Sequence, residues 1–412
     1  MKTYWLYLES YTFAFANTRE VLIVNTLSSQ TILFPLTLSL KAVITELLAP
    51  QNNYAIQITE EQLKDSSVNS FVSNVRESFS GDLIDQAETM FKPVILKPQL
   101  NLQRDISKLK REDFRSVGEN IKSYLSELSI YVTGQCSRNC TDCKSKHKQI
   151  NWCTKNEESL SLEKISKFCD QINGTQISTI NFLGGDLLNY QKLPELIEIT
   201  KLLNPIKRFH VHYQNISKAT DKLAILNQPQ HELNVLVDFP LQPVELEQTI
   251  DYLKSTHLTH KWEFAIANED EYDQLEKIID SHQLSDVKIK PFFDGSNLDF
   301  FRENIFMSRE DLHQQEISRK EIFAHQSLNT NHFGKLIITS DGKVFANLNH
   351  SQIGIIDESI REILFKEMNE GTSWLKTRNT APCSSCVYQW LCPSPSNYEE
   401  AIKKPNLCTL DL

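Results

Sequence analysis

From about Ile130 to residue 293 the chain alternates short runs rich in β-branched and aromatic residues with amphipathic helical runs. The strand-like runs are LSIYVTG, ISTINFLGG, KRFHVHYQN, LNVLVDFP, KWEFAIAN and VKIKPFF; LEKISKFCDQI, LPELIEITKLLN, VELEQTIDYLKS and EYDQLEKIIDSH are helical in their spacing. Strands joined through helices run parallel, and right-handed crossovers stack the helices on one face. The pattern therefore predicts an α/β fold, a parallel sheet or partial barrel, with ligands at the carboxyl ends of its strands.

The loop after the first of these strands reads TGQCSRNCTDCKSKH and carries Cys136, Cys140 and Cys143 at C-x3-C-x2-C spacing. Of the nine cysteines, eight fall in two groups, Cys136 to Cys153 and Cys383 to Cys408, and Cys169 stands alone. The N-terminus lacks the basic start, unbroken apolar run and cleavage site of a signal peptide, and no window is apolar for 18 residues. A cytoplasmic protein without a membrane span is expected, and there clustered cysteines bind metal or do redox chemistry more often than they form disulfides. A net charge of -10 argues against a general nucleic-acid binder. Three thiolates from one loop favour an iron-sulfur cluster with one iron lacking a protein ligand, open to a small molecule. Zinc would need a fourth ligand, from Cys153 or His147.

INFLGGDLL ends a predicted strand at Gly184 and Gly185, where paired glycines permit close backbone approach, and Asp186 follows as a carboxylate able to hold a cationic group. Near the C-terminus Cys383, Cys386 and Cys392 follow C-x2-C-x5-C spacing, with Cys408 sixteen positions on. Four thiols make a closed site for zinc or for a fully ligated cluster, and spacing does not separate the two. Between the two regions GKLIITSDGKVFAN reads as a hairpin turning at Ser340, Asp341 and Gly342.

Together the C-x3-C-x2-C loop and the GGD strand end resemble the radical S-adenosylmethionine (SAM) superfamily. The resemblance implies a partial (β/α)6 barrel in which Cys136, Cys140 and Cys143 bind a 4Fe-4S cluster whose open iron chelates SAM, with Gly184, Gly185 and Asp186 as SAM contacts. It further suggests Gln214, Asn215 and Asp238, at later strand ends, as polar contacts to SAM, and Ile266 as packing for its adenine. The C-terminal group resembles the SPASM extension of radical SAM peptide maturases, which implies one auxiliary 4Fe-4S cluster on Cys383, Cys386, Cys392 and Cys408. Positions where that family places cysteines of another auxiliary cluster hold Asn347 and Ser396, so that cluster is expected to be lost. Two departures stand out: Asp142 where an aromatic residue usually precedes the third cysteine, and Asp186 in place of glutamate.

Residues 1–105 combine β-rich runs with helical ones and suggest a winged-helix-like α+β module, followed by the barrel at 106–310 and the SPASM-like extension at 311–412. The module resembles leader-peptide recognition domains, which add the peptide to an open sheet edge. EVLIVNT and QTILF would flank that edge, and SVNSFVSNVRESF would be the reading helix. A DNA-binding winged helix is disfavoured because Arg76 sits beside Glu77 with few outward cations nearby. The resemblance thus implies an enzyme that binds a ribosomally made precursor peptide, takes an electron from a donor such as flavodoxin or ferredoxin, and modifies the peptide through a 5'-deoxyadenosyl radical. The competing expectation is an inactive pseudo-radical-SAM partner that presents the peptide to another maturase. No catalytic acid or base stands out, and the bond that is made is not legible.

Overall fold

The computed structural model describes residues 2–89, 91–98, 118–138, 140, 142–172 and 175–410. Its N-terminal part contains strands β1 (Thr3–Leu8), β2 (Thr12–Ala16), β3 (Glu20–Asn25), β4 (Gln30–Pro35), β5 (Ala55–Thr59) and β6 (Gly81–Asp85). They form two antiparallel sheets, ordered β5-β1-β6 and β2-β3-β4. Helix Leu38–Leu48 starts where the Thr37 side chain accepts from Leu40 N, and helix Ser66–Glu77 where Asp65 accepts from Ser67 N and Val68 N. The apolar faces of these helices, Val43 and Leu47 on one and Phe71 and Val75 on the other, share a core with Leu6 and Ile23. Each such fully buried side chain contributes roughly 1.5–3 kcal/mol.

One expectation needs correction here. EVLIVN is no edge, because tight turns place β3 between β2 and β4, with Ile23 paired to both Ala14 and Ile32. Its other face is covered as well: Leu22 and Val24 pack with Val387, Tyr388 and Leu391 of the C-terminal segment. Among the described residues the edge strands are β2 and β4 in that sheet, and β5 and β6 in the other. The extended segment expected after residue 91 is described only to residue 98, and the boundary expected at 105/106 lies outside the described residues.

The barrel strands are β7 (Glu127–Thr133), β8 (Thr179–Gly184), β9 (Ile206–His212), β10 (His231–Val237), β11 (His260–Ile266) and β12 (Val287–Pro291). They run parallel in consecutive order, and on the far side of β7 the sheet continues through β13 (Lys335–Ile338), β14 (Lys343–Phe345) and β15 (Gly354–Ile355). The predicted hairpin is the β13–β14 pair, and Gly342 supplies the positive φ of +83° that its turn requires. Alternation along each strand sorts the two faces. In β9, Phe209 and Val211 join the large outer core, whereas Arg208 and His210 line a cavity inside. Cys169, on helix Leu162–Ile172, belongs to that outer core with Ile165 and Phe168, which accounts for the solitary cysteine. Among the described residues no helix is long and apolar enough to cross a membrane.

Candidate functional site

At the carboxyl end of β7 the thiols Cys136, Cys140 and Cys143 line a single small cavity, together with Arg138, Gly185 and His212. The three cysteines singled out in the sequence are thus brought together, and a fourth, Cys153, joins them in the same lining. Cys143 opens the helix Cys143–Ile150, which Asn151 ends in the left-handed conformation at φ 55°. The chain doubles back there and returns Cys153 to the first turn of the helix, where Cys143 Sγ lies 3.6 Å from the Cys153 carbonyl oxygen. Contact between the two thiols pulls Cys143 down from the usual thiol range and, with burial, pushes Cys153 up. Asp142 stands at the helix N-terminus, half-buried and outside the cavity lining.

The GGD turn is laced to this loop. Gly185 N donates to Thr133 O and Asp186 N to Gln135 O, both at 2.8 Å. A Cβ on Gly185 would meet Gln135 O at 2.4 Å and Gly134 O at 2.6 Å. Here the glycines admit the chain's own backbone. Asp186 lies 4% exposed; its Oδ2 accepts from Asn189 Nδ2, while its Oδ1 is buried without a partner. It faces a cavity of about 320 Å³ lined also by Cys136, Ser137, Lys155 and Asn156. Burial raises the Asp186 carboxyl, and the Asn189 contact opposes that rise. An unpartnered carboxylate oxygen next to a thiol-lined cavity suits an ammonium group, and Arg138 Nη1, buried and likewise unpartnered, suits an anionic one.

Asp238 follows β10 with both oxygens engaged: Oδ1 accepts from His212 Nε2 at 2.8 Å and faces Arg138 Nη2 at 3.6 Å, and Oδ2 meets Lys146 Nζ at 2.8 Å. Burial alone would raise this carboxyl, yet His212 and Lys146 hold it far below the usual range. Gln214 and Asn215 lie on the short helix Tyr213–Ile216, outside the lining of both cavities, with Gln214 N donating to His212 Nδ1 at 3.3 Å. Ile266 is buried in the outer core. Sequence reasoning missed Arg138, Lys146 and His212. The alternation of His210 and His212 in β9 was the one available signal, since two polar residues two apart on a buried strand share its inward face.

Beyond the thiols the chain enters the barrel. Ile150 and Trp152 pack with Leu236, Ala265 and Phe292, Trp152 Nε1 donates to Glu263, and Tyr131 Oη donates to the Asn151 and Trp152 carbonyls. Toward the amino ends of the strands lies a polar cavity of about 550 Å³, lined among others by Glu127, Arg208, His210, Glu263 and Lys290.

The C-terminal thiols Cys383, Cys386, Cys392 and Cys408 also share one cavity. Three receive N–H donors: Asn406 Nδ2 to Cys408 at 3.0 Å, Tyr388 N to Cys386 at 3.4 Å, and Arg378 Nη1 to Cys383 at 4.0 Å. Donors aimed at sulfur suit metal-bound thiolates. Among the described residues no three His, Cys, Asp or Glu side chains converge tightly enough to hold a single metal ion. Asn347 is buried in a polar network, donating to His332 Nε2 at 3.0 Å and to Asn397 Oδ1 at 2.8 Å, and Ser396 caps the helix Asn397–Ile402.

Residues 126–256 match the family model of the 4Fe-4S single cluster domain. No curated protein matches the chain in sequence. Among solved structures, SuiB of Streptococcus suis bound to the precursor peptide SuiA is similar at a TM-score of 0.53 and 12% identity, over 98% of this chain and 99% of that one. SuiB bound to S-adenosylmethionine is similar at 0.52 and 12%, with the same coverage, and SuiB alone at 0.51 and 13%, over 98% and 100%. The chain therefore shares the fold of SuiB: a partial (β/α)6 barrel preceded by the antiparallel N-terminal sheets and followed by the cysteine-bearing C-terminal segment.

Proposed function

We propose that the protein is a radical SAM enzyme that binds a ribosomally made precursor peptide and modifies it. The observation that carries this reading is the buried, unpartnered Oδ1 of Asp186 beside the cavity of Cys136, Cys140 and Cys143. A carboxylate kept without a partner costs stability unless a ligand completes it. Cys136, Cys140 and Cys143 would hold the 4Fe-4S cluster, Asp186 the SAM amino group, and Gly184 and Gly185 the close backbone fit that keeps Asp186 against the loop. When bound, these cofactors supply a 5'-deoxyadenosyl radical that abstracts a hydrogen atom from the peptide. The residues of the chain position and exclude water: Arg138 is held by Asp238, and Asp238 by Lys146 and His212. Gln214 keeps a supporting role at His212 in this reading, and Asn215 is buried on the same short helix.

Cys383, Cys386, Cys392 and Cys408 would hold an auxiliary 4Fe-4S cluster, a reading supported by their shared cavity and by the N–H donors aimed at three of the sulfurs. The electron would come from an external donor of the flavodoxin or ferredoxin class. For the leader peptide, β6 is the favoured edge. It pairs only with β1 among the described residues, and helix Ser66–Glu77 packs beside it. Tyr7, Tyr11, Arg76, Phe79 and Asp82 line an open cleft of about 500 Å³ there. SuiB, of the same fold, has been solved in one structure with its precursor peptide and in another with SAM.

Anaerobic reconstitution, followed by reductant, SAM and the peptide encoded beside the gene, tests the reading. Formation of 5'-deoxyadenosine together with a mass change in the peptide is expected. A protein that retains its iron and binds peptide yet yields no 5'-deoxyadenosine is instead a presenting partner.

A further inference from the structure

We propose that Cys153 is a fourth thiolate ligand of the cluster in the SAM-free protein, closing the iron that SAM must occupy. This rests on the reading of the Cys136/Cys140/Cys143 cavity as the cluster site, and it changes what that site does at rest. Three observations carry it. Cys153 lines the same cavity as the three motif cysteines, although it lies ten residues past Cys143 and outside the C-x3-C-x2-C spacing. Its position is built by the fold: the left-handed Asn151 reverses the chain, and Tyr131 Oη binds the Asn151 and Trp152 carbonyls at 2.9 and 3.0 Å. The returning segment is anchored on its far side as well, because Trp152 is 1% exposed, donates to Glu263, and packs with Ile150 and Phe292.

A cluster with four protein thiolates has no iron free for a small molecule. Ligation by Cys153 releases the thiol proton to solvent and changes no oxidation state. Incoming SAM displaces the thiolate, which takes a proton back. The segment from Cys143 to Cys153 then loses its tie to the cluster at Cys153, while Tyr131 and Glu263 still hold Asn151 and Trp152. If the closed form outnumbers the open one about tenfold, apparent SAM affinity falls about tenfold.

The test reads iron ligation in SAM-free protein. Anaerobically reconstituted wild type, Cys153→Ala and Cys153→Ser are oxidised with ferricyanide and followed by low-temperature EPR and iron content. A three-thiolate cluster loses its unique iron and gives a [3Fe-4S] signal, whereas a four-thiolate cluster resists. The expected result is at least tenfold less [3Fe-4S] signal in wild type than in either variant, and SAM binding about tenfold tighter in Cys153→Ala by equilibrium dialysis. A [3Fe-4S] signal of equal size in wild type and variants overturns the proposal, and the wild-type spectrum alone decides should a variant fail to fold. The C-terminal thiols contribute equally to all three proteins. Cys136→Ala separates the two levels of inference: iron content equal to wild type would show that this cavity is not the cluster site, whereas a lowered content beside an open wild-type iron rejects only Cys153.

Discussion

Lys146 Nζ and Asp238 Oδ2 meet at 2.8 Å with side chains only 11% and 13% exposed, joining the helix that starts at Cys143 to the end of β10. A lysine in CKSKHKQI reads as a solvated residue, yet this one lies under the cysteine loop and tethers it to the barrel. Removing one partner of a buried pair leaves the other charge uncompensated, which costs about 3–5 kcal/mol. Lys146→Met is expected near the lower end, about 3 kcal/mol, because Arg138 and His212 still face Asp238. Urea unfolding of the single variants and of Lys146→Met/Asp238→Asn checks it, the double variant being more stable than the sum of the singles.

Asp186→Asn keeps the shape of the turn and removes its charge. Loss of a charge-assisted hydrogen bond of about 1.5–3 kcal/mol weakens SAM binding about 10- to 100-fold, while the thermal midpoint stays at or above the wild-type value. Equilibrium dialysis of reconstituted protein measures the first and calorimetry the second.

His332 accepts from Asn347 Nδ2 through Nε2, so this imidazole must be neutral on that side. Burial, aided by nearby Lys335 and His350, pushes it down to about 4. An unfolded histidine titrates near 6.5. Between these values the unfolded chain binds a proton that the folded chain does not, so stability falls as pH falls from 7 to 5, by about 2 kcal/mol from this one group. His332→Gln is expected to flatten that part of the profile of unfolding free energy against pH.

Arg378 and Glu399 form a buried pair at 2.8 Å, with side chains 9% and 7% exposed, and the same guanidinium faces Cys383. Glu399→Gln strips the arginine of its counter-charge and is expected to cost about 3 kcal/mol. Iron retention under a chelator and the thermal midpoint both fall if the pair holds the C-terminal site together. An unchanged midpoint would mean that Arg378 is compensated by the thiols alone.

Much of this site is legible in the sequence because it is local. The thiols at 136, 140 and 143 share one loop, and Gly184–Asp186 end one strand, so strand periodicity and spacing were enough to bring them together. Cys153 was legible only as one of two candidates, with His147, for a fourth ligand, and its return to Cys143 depends on the left-handed Asn151, a residue type that ends helices this way without fixing where the chain goes next. The interior position of β3 likewise depends on which neighbours it pairs with, and a strand's own residues do not specify that. Lys146 and His212 are defined by partners 92 and 26 residues away. Such a contact left no periodic trace for Lys146, and for His212 only the alternation with His210.

The lacing of Gly185 to Thr133 and of Asp186 to Gln135 joins the residue proposed for SAM to the loop proposed for the metal through two backbone hydrogen bonds. A displacement at Cys136 is then passed to Asp186 without a side chain in between. Thermodynamic reciprocity follows: whatever factor a loaded cluster adds to SAM affinity, bound SAM returns to the affinity of the loop for its cluster. SAM and the Cys153 thiolate would thus guard the same iron in turn, and a chain without Cys153 would be the one most vulnerable to oxygen and chelators when starved of SAM.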